Sequence, residues 1–248
     1  MKRATIRIES LSIGYEGMIV ASDLCAEVWS GELTCLMGVN GVGKSTLLRT
    51  LSGFQPALKG CMYMLDRSMN DYATHELAQA VAVVLTDKPD VEHLTVRELV
   101  ALGRTPYTGF WGKLTASDCR AVEQAMESIH IETLADRLVN TLSDGERQKA
   151  LIAKALAQET PIIILDEPTA FLDFPSKIEL MQLLRDLCRQ LGKTIFLSTH
   201  DVELTLRICD RLWLMNRDGI VIHAPDELSG TGILEEFFQV PEDLFRAP

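Results

Sequence analysis

The sequence predicts an α/β fold built around a largely parallel β-sheet. Short, mostly apolar runs at residues 33–37, 162–165 and 194–197 are typical of strands that are buried on both faces. Stretches with the spacing of amphipathic helices follow these runs. Buried strands that alternate with helices indicate a sheet whose parallel strands are connected by helices.

The N-terminal part supplies strands and one helix. Partial alternation of apolar residues predicts strands in the first thirty residues, and a third strand ends at a glycine-rich loop that opens a helix. A further apolar run predicts a strand before the middle of the chain. The predicted strands are 5–9, 19–29, 33–37 and 81–85, and the helix is 44–51.

The middle of the chain, residues 88–157, is predicted to be mainly helical. One helix spans 95–104 and opens with a capping box of Thr95 and Glu98, and another spans 116–130. This segment reads as an insertion between strands of the sheet. We therefore expect one domain over residues 1–248, in which 1–87 and 158–248 form a core with a β subdomain.

The C-terminal part returns to alternating strands and helices. Residues 175–191 predict a long helix, because proline lies in its first turn and apolar residues share one face. Residues 212–216 and 220–223 flank Arg217, Asp218 and Gly219, which is a hairpin signal.

Composition limits the classes of function. The formal net charge is −11, which argues against nucleic acid as a partner, since a basic surface is expected for phosphate-backbone binding. No run of 18 apolar residues occurs, so no segment is predicted to span a membrane. The six cysteines form no CxxC pair, and we expect buried reduced thiols rather than a metal site.

A glycine-rich loop fits the pattern G-x-x-x-x-G-K-[ST]. Its glycines let backbone N–H groups turn toward an anion, Lys44 supplies a charge for the β and γ phosphates, and Ser45 offers a hydroxyl to Mg²⁺. The predicted nucleotide-binding residues are Gly38, Val39, Asn40, Gly41, Val42, Gly43, Lys44, Ser45 and Thr46.

Acidic residues follow the strand 162–165. Asp166 can hold Mg²⁺ directly or through water, and Glu167 can polarise a water molecule against the γ-phosphate. His200 follows the next strand and reaches the same sheet edge, because parallel strands deliver their carboxyl ends together. We predict that Glu167 and His200 are catalytic.

The segment LSDGERQKA begins another helix at residues 142–150. Its spacing predicts a capping box in which Ser143 is the N-cap, Asp144 and Gly145 follow, and Glu146 is the N3 residue. Acidic residues in a first turn also suit the helix dipole.

Together, these motifs resemble the ATPase subunit of ABC transporters over nearly the whole chain. The resemblance rests on GVNGVGKST, LSDGERQ, IIILDEP, the turn at residues 170–173, and STHD at residues 198–201. It implies an ATP- and Mg²⁺-dependent P-loop NTPase core with an antiparallel β subdomain and an inserted helical subdomain. It also implies that Tyr15 stacks on adenine.

The resemblance further implies a homodimer that closes on ATP. Each nucleotide would lie between the phosphate loop of one subunit and Ser143, Gly145 and Glu146 of the other, with Asp173 facing its counterpart near the dimer axis. The expected partners are polytopic permease subunits and, indirectly, a periplasmic or surface substrate-binding protein. The expected location is peripheral, on the cytoplasmic side of the cell membrane.

A narrower resemblance links residues 95–106 and Asp118 to importers of ferric siderophores, haem and cobalamin. In such importers this helical region contacts the permease. Tyr107, Phe110 and Trp111 form a nearby aromatic cluster, which either contacts the permease or packs on the domain itself.

Two positions depart from the family pattern. Thr86, followed by Asp87, replaces the usual glutamine, and either residue could reach a hydrated Mg²⁺. Asp144 replaces a usual glycine, and we expect its side chain to stay solvated or to pair with a cation such as Arg147.

Two other functions compete with an importer subunit. A soluble ABC ATPase of cofactor assembly, for example of iron–sulfur clusters, has similar length and motifs. A non-hydrolysing ATP switch is suggested by the missing glutamine and the altered LSDGE segment, although Glu167 and His200 argue against it.

Overall fold

The computed structural model describes residues 3–86, 93–109, 111–217, 219–228 and 231–239. The strands are β1 (Ala4–Tyr15), β2 (Met18–Trp29), β3 (Leu33–Met37), β4 (Lys59–Met64), β5 (Arg67–Ser68), β6 (Val81–Val84), β7 (Ile162–Leu165), β8 (Thr194–Ser198), β9 (Arg211–Asn216) and β10 (Gly219–His223). The helices are α1 (Lys44–Leu51), α2 (Thr74–Ala80), α3 (Val96–Ala101), α4 (Ala116–Glu127), α5 (Asp144–Ala157), α6 (Phe174–Leu191), α7 (Val202–Ile208), α8 (Pro225–Leu228) and α9 (Ile233–Phe238).

Six strands form a mainly parallel sheet in the order β10-β9-β3-β8-β7-β6. Only β10 runs antiparallel, as the second strand of the predicted hairpin with β9. In register, Leu33 lies opposite Ile195, and Ile162 lies opposite Thr194. The carboxyl ends of β3, β7 and β8 therefore meet at one edge, which confirms the predicted fold class.

The core lies on both faces of this sheet. Along β3, Cys35 and Met37 pack into one hydrophobic cluster, while Leu36 packs into the other with Phe196 and Trp213. Successive side chains of a strand point to opposite faces, so a strand covered on both sides is apolar at most positions. This explains the continuous apolar runs in the sequence.

A second, antiparallel sheet has the order β2-β1-β4-β5. Strand β1 extends to Tyr15, beyond the predicted end at Glu9, because the chain passes through a β-bulge at Ser10 (φ 45°). A bulge adds one unpaired residue and shifts the alternation of side chains, which hides the continuation of the strand. The longer strand carries Tyr15 toward the glycine-rich loop.

Helices α3, α4 and α5, which follow β6 and precede β7 along the chain, pack against one another. The predicted capping box is confirmed, since Thr95 Oγ1 accepts from the Glu98 N–H and Glu98 Oε2 accepts from the Thr95 N–H. The α-helix ends at Ala101 and continues as a 3₁₀ turn that contains Pro106, so it is shorter than predicted. The boundaries at 88 and 157 stay a prediction. In the described part of the chain, no helix combines the length and apolar composition needed to cross a membrane.

The expectation of buried reduced cysteines is largely wrong. Cys25, Cys61 and Cys119 are exposed, because they lie on the outward sides of their strands and helix. The Sγ atoms of Cys35 and Cys209 are bonded at 2.11 Å, since the end of α7 brings Cys209 beside β3. Of the cysteines in the described residues, Cys188 alone is a buried free thiol.

Candidate nucleotide-binding and catalytic site

The glycine-rich loop connects β3 to α1 at the carboxyl edge of the parallel sheet. Gly43 is the N-cap of α1 and has φ 110°, a conformation that residues with a side chain rarely adopt. At Gly38, a Cβ atom would collide with the carbonyl oxygen of Met215. The two glycines are therefore required by backbone geometry, and Asn40 and Gly41 lie exposed at the mouth of the loop.

Lys44 begins α1 and is buried within the loop. Its Nζ atom donates to the carbonyl oxygens of Gly38 at 2.8 Å and Val39 at 3.4 Å. Burial lowers the pKa of Lys44, and the nearby charges of Glu167 and Asp166 oppose that shift. The ammonium group thus contacts the loop carbonyls and lies within the electrostatic influence of two carboxylates, and a bound phosphate can replace its carbonyl partners.

Tyr15 lies against the start of α1. Its hydroxyl is 3.1 Å from Oγ1 of Thr46, and about half of the side chain is exposed. The ring therefore flanks the phosphate loop with an open side. This position supports the predicted contact with adenine, which stays a prediction.

Ser198, at the end of β8, connects the two acidic residues that follow β7. Its Oγ atom donates to Oδ1 of Asp166 at 2.7 Å and accepts from the backbone N–H of Glu167 at 2.9 Å. A serine hydroxyl can do both at once. Ser198 lies in the STHD motif, but no role was predicted for it from the sequence. The feature that could have indicated a role is its position as a polar residue at the end of an apolar strand.

Glu167 and His200 form the predicted catalytic pair. Glu167 Oε1 lies 2.7 Å from His200 Nε2, and both side chains are partly exposed beside a cavity of about 390 Å³. Glu167 has φ 47°, in the left-handed region that few non-glycine residues occupy. The Glu167 carboxylate contacts His200, and both residues line the open cavity.

The oxygen donors near the loop fit Mg²⁺. Ser45 is exposed in the first turn of α1, and Asp166 is oriented by Ser198. Mg²⁺ in nucleotide sites takes one or two protein oxygens, with phosphate oxygens and water completing its shell. No group of three or more His, Cys, Asp or Glu residues occurs in the described ranges that could hold a metal by itself. Ser45 and Asp166 therefore suit a metal that arrives with the nucleotide.

Thr86 lies at the end of β6, where its hydroxyl donates to the carbonyl oxygen of Asp166 at 2.8 Å. Its predicted role toward Mg²⁺ stays a prediction, and a Thr86→Ala variant with normal ATP turnover would contradict it. Asp87, the alternative, lies outside the described residues.

The start of α5 has the predicted capping box. Ser143 Oγ accepts from the Glu146 N–H at 3.3 Å, and Glu146 Oε2 accepts from the Ser143 N–H at 2.8 Å. The hydrogen bond from Ser143 lowers the pKa of Glu146, and Arg137 adds an ion pair at 2.9 Å. Ser143 and Asp144 are exposed, so this helix start is accessible to a second subunit.

Asp173 is the N-cap of α6. Its Oδ1 atom accepts from the Ser176 N–H at 3.1 Å, and hydrogen bonds from the Ser176 hydroxyl and then from this N–H lower the pKa of the carboxyl group. The adjacent side chains of Phe171 and Phe174 are largely exposed. Capping explains Asp173 within one subunit, and its role at a dimer axis stays a prediction.

Comparison with known proteins decides the family. The ABC transporter family model matches residues 21–170. The ferric enterobactin transport ATP-binding protein FepC of Escherichia coli K12 is 38% identical over 236 residues, covering 95% of this chain and 87% of FepC. The iron(3+)-hydroxamate import ATP-binding protein FhuC of Bacillus subtilis 168 is 32% identical, covering 98% of this chain and 91% of FhuC.

This chain belongs to the ABC transporter family. A solved dimeric structure of MJ0796, a bacterial ABC transporter cassette, has a TM-score of 0.76 at 25% identity and covers 89% of this chain and 98% of that one. The family and the site agree, so the chain is an ATP-binding subunit with ATPase activity.

In this ABC ATPase, the importer-like segment contains a buried ion pair. Arg104 Nε lies 2.9 Å from Asp118 Oδ1, and both side chains are about 95% buried. Arg104 also donates to the Ala157 carbonyl at 2.7 Å and pairs with Glu159 at 2.6 Å. The segment that resembles metal-chelate importers therefore joins α4 and the end of α5 internally.

The aromatic cluster of the ABC ATPase has two environments. Tyr107 packs on the domain, because its ring lies 4.1 Å from the Arg104 guanidinium and its hydroxyl donates to the Gln158 carbonyl at 2.9 Å. Trp111 is 89% exposed. Phe110 lies outside the described residues. Trp111 is thus the better candidate for a permease contact.

Proposed function

We propose that this ABC ATPase is the energy-coupling subunit of an importer for an iron-siderophore, haem or cobalamin-type chelate. The observation that carries the proposal is the likeness to FepC and FhuC, which extends over 95–98% of the chain. The names of these relatives specify ferric enterobactin and iron(3+)-hydroxamate. On the basis of this likeness, we extend the same class of transported chelate to this chain.

Hydrolysis is assigned to the residues at the sheet edge. Lys44 neutralises the β and γ phosphates, while Ser45 and Asp166 would hold Mg²⁺, which would stabilise negative charge on the phosphates. Glu167 orients and polarises the attacking water. His200 holds the Glu167 carboxylate at 2.7 Å and can hydrogen-bond the γ-phosphate.

Transport is proposed to require a homodimer on a membrane permease. Ser143 and Gly145 of one subunit complete the nucleotide site of the other, and the position of exposed Ser143 and half-buried Gly145 at the start of α5 supports this arrangement. Dimer closure takes place on the cytoplasmic side of the membrane and changes the conformation of the permease. A periplasmic or surface substrate-binding protein delivers the chelate to the permease, so the ATPase does not contact the chelate.

The test is chelate uptake by the assembled transporter. The ATPase is coexpressed with the permease encoded by a neighbouring gene, and the complex is reconstituted into vesicles. The ATP-dependent uptake of ferric enterobactin, haem and cobalamin is then compared. A Glu167→Gln variant should bind ATP without supporting uptake. Glu9→Gln is the matched control, because Glu9 is an exposed residue of β1 whose partner is Arg7.

A soluble role in cofactor assembly is the competing function. Copurification with soluble assembly proteins, and no association with the permease, would favour that role and contradict the proposal. A non-hydrolysing switch is disfavoured by the short contact between Glu167 and His200. Absence of ATP turnover in the complete complex would instead support the non-hydrolysing switch.

A further inference from the structure

A small cavity lies between the first turns of α5 and the ends of β6 and β7. Its volume is about 20 Å³, and its lining includes Thr86, Arg147, Gln148 and Glu167. A cavity of this volume accommodates one water molecule, and these four polar side chains can supply its hydrogen bonds. Since α5 contributes two of these side chains and the strand ends contribute the other two, the cavity spans the boundary between helix and sheet.

Arg147 presents an unpaired donor at this boundary. Its Nε atom is buried and has no hydrogen-bond partner among the described residues. Arginine stays charged and has only donors, and nearly all buried polar groups in folded proteins have a partner. A water oxygen in the adjoining cavity would supply the missing acceptor.

The same water would find acceptors for its two protons. The Thr86 hydroxyl uses its proton on the Asp166 carbonyl, which leaves its oxygen lone pairs available. Glu167 uses Oε1 for His200, and a carboxylate has a second oxygen. One water can therefore accept from Arg147 and donate to Thr86 and Glu167.

We infer that this cavity is a single-water site, and that Arg147 is a positioning residue that acts on Glu167 through that water. The inference rests on the proposed role of Glu167 in ATP hydrolysis. Thr86 makes the site, because its short side chain leaves the space that the usual glutamine would fill. The bridge transmits the position of α5, which carries Ser143 and Gly145, to the carboxylate that polarises the attacking water.

Two substitutions of nearly equal length test the bridge. In Arg147→Gln, the side-chain amide nitrogen takes the place of Nε and keeps an N–H donor there. In Arg147→Met, a methyl group takes that place. We expect Arg147→Met to lower kcat about tenfold with KM for ATP unchanged, and Arg147→Gln to stay within about twofold of the wild type. Equal kcat in both variants and the wild type, or equal loss in both, would overturn the inference.

Thr86→Gln provides the second arm, because the longer side chain should occupy the cavity and displace the water. In that background, Arg147→Met should change kcat by less than about twofold, since the bridge is already absent. A full tenfold loss in both backgrounds would mean that Arg147 acts independently of the cavity.

A crystal structure of the nucleotide-free full chain supplies a readout other than activity. The expected result is an ordered water within hydrogen-bond distance of Arg147 Nε, Thr86 and Glu167. A protein side chain bound to Nε instead would refute the site, and this arm decides even if Arg147→Met fails to fold. Failure of the wild-type complex to hydrolyse ATP would contradict the proposed function, whereas normal turnover without the water contradicts only this inference.

Discussion

Oε1 of Glu167 and Nε2 of His200 are 2.7 Å apart, although the two residues follow different strands of the sheet. The contact orients the carboxylate next to the cavity that would receive the attacking water. We expect His200→Ala to lower kcat for ATP hydrolysis about 100-fold, with a smaller change in ATP affinity. Steady-state ATPase and equilibrium binding assays measure the two effects. His75→Ala, at an exposed position of α2, is the control, and an unchanged kcat in His200→Ala would refute the pairing as catalytic.

Ser198 orients Asp166, so its loss should weaken Mg²⁺ binding. Removing a hydrogen-bond partner of a metal-ligating carboxylate typically costs about 10-fold or more in metal affinity. We expect Ser198→Ala to raise the Mg²⁺ concentration for half-maximal ATPase by that factor. Ser52→Ala removes another buried serine hydroxyl, which donates to the Leu48 carbonyl, without touching Asp166. The same Mg²⁺ dependence in both variants would contradict the assignment.

Arg104 is predicted to be required for stability. Removing one partner of a buried ion pair leaves an uncompensated charge, here on Asp118, and costs about 3–5 kcal/mol. We expect Arg104→Ala to lower the free energy of unfolding by about 3 kcal/mol in urea titrations. Arg207→Ala, which breaks an exposed pair with Glu203, should cost less than about 1 kcal/mol. Equal costs would mean that the Arg104 network contributes little.

The pH dependence of stability should reveal Asp118. Hydrogen bonds from the Thr115 hydroxyl and backbone N–H, and then from Arg104, lower its pKa from 3.8 to about 2. Because the folded-state pKa is depressed, this contribution is present above pH 3.8 and is lost as the pH falls toward about 2. The free energy of unfolding of Asp118→Asn, measured across that window, should vary less than that of the wild type. Parallel curves would argue against the depressed pKa.

Asp144 should oppose dimer closure. Its charge lies at the helix start that faces the partner's nucleotide in the proposed dimer, and about 0.5–2 kcal/mol of repulsion is expected per phosphate charge at roughly 8 Å. Asp144→Gly should retain ATPase activity and tighten ATP-driven dimerisation about threefold, measured by analytical ultracentrifugation. Asp144→Asn keeps the size and removes the charge, and should behave similarly. A large loss of ATPase would show a positive role for Asp144.

Motifs that are local in sequence predicted much of the fold and the site's composition. Lys44 lies in its loop, and Ser143 and Glu146 form their capping box, because each depends on neighbours a few residues away. Asp166 and His200 reach one edge because parallel strands must align there. These features follow from chain geometry alone.

Contacts between distant segments were not predictable in the same way. Ser198 bridges Asp166 and Glu167 only because β7 and β8 adopt one particular register. The pairing of Cys35 with Cys209 likewise depends on where α7 ends. The residue type determines which interactions a side chain can make, whereas tertiary packing determines which residue it contacts.

The left-handed backbone conformation of Glu167 lowers the stability of the fold at a position whose side chain is assigned to activity. Holding a non-glycine residue at φ 47° costs about 1–3 kcal/mol, which the surrounding structure must offset. Replacement of Glu167 by glycine would release that strain and should raise the melting temperature. The same replacement removes the carboxylate assigned to hydrolysis, so selection for thermal stability alone would drive this position toward an inactive protein.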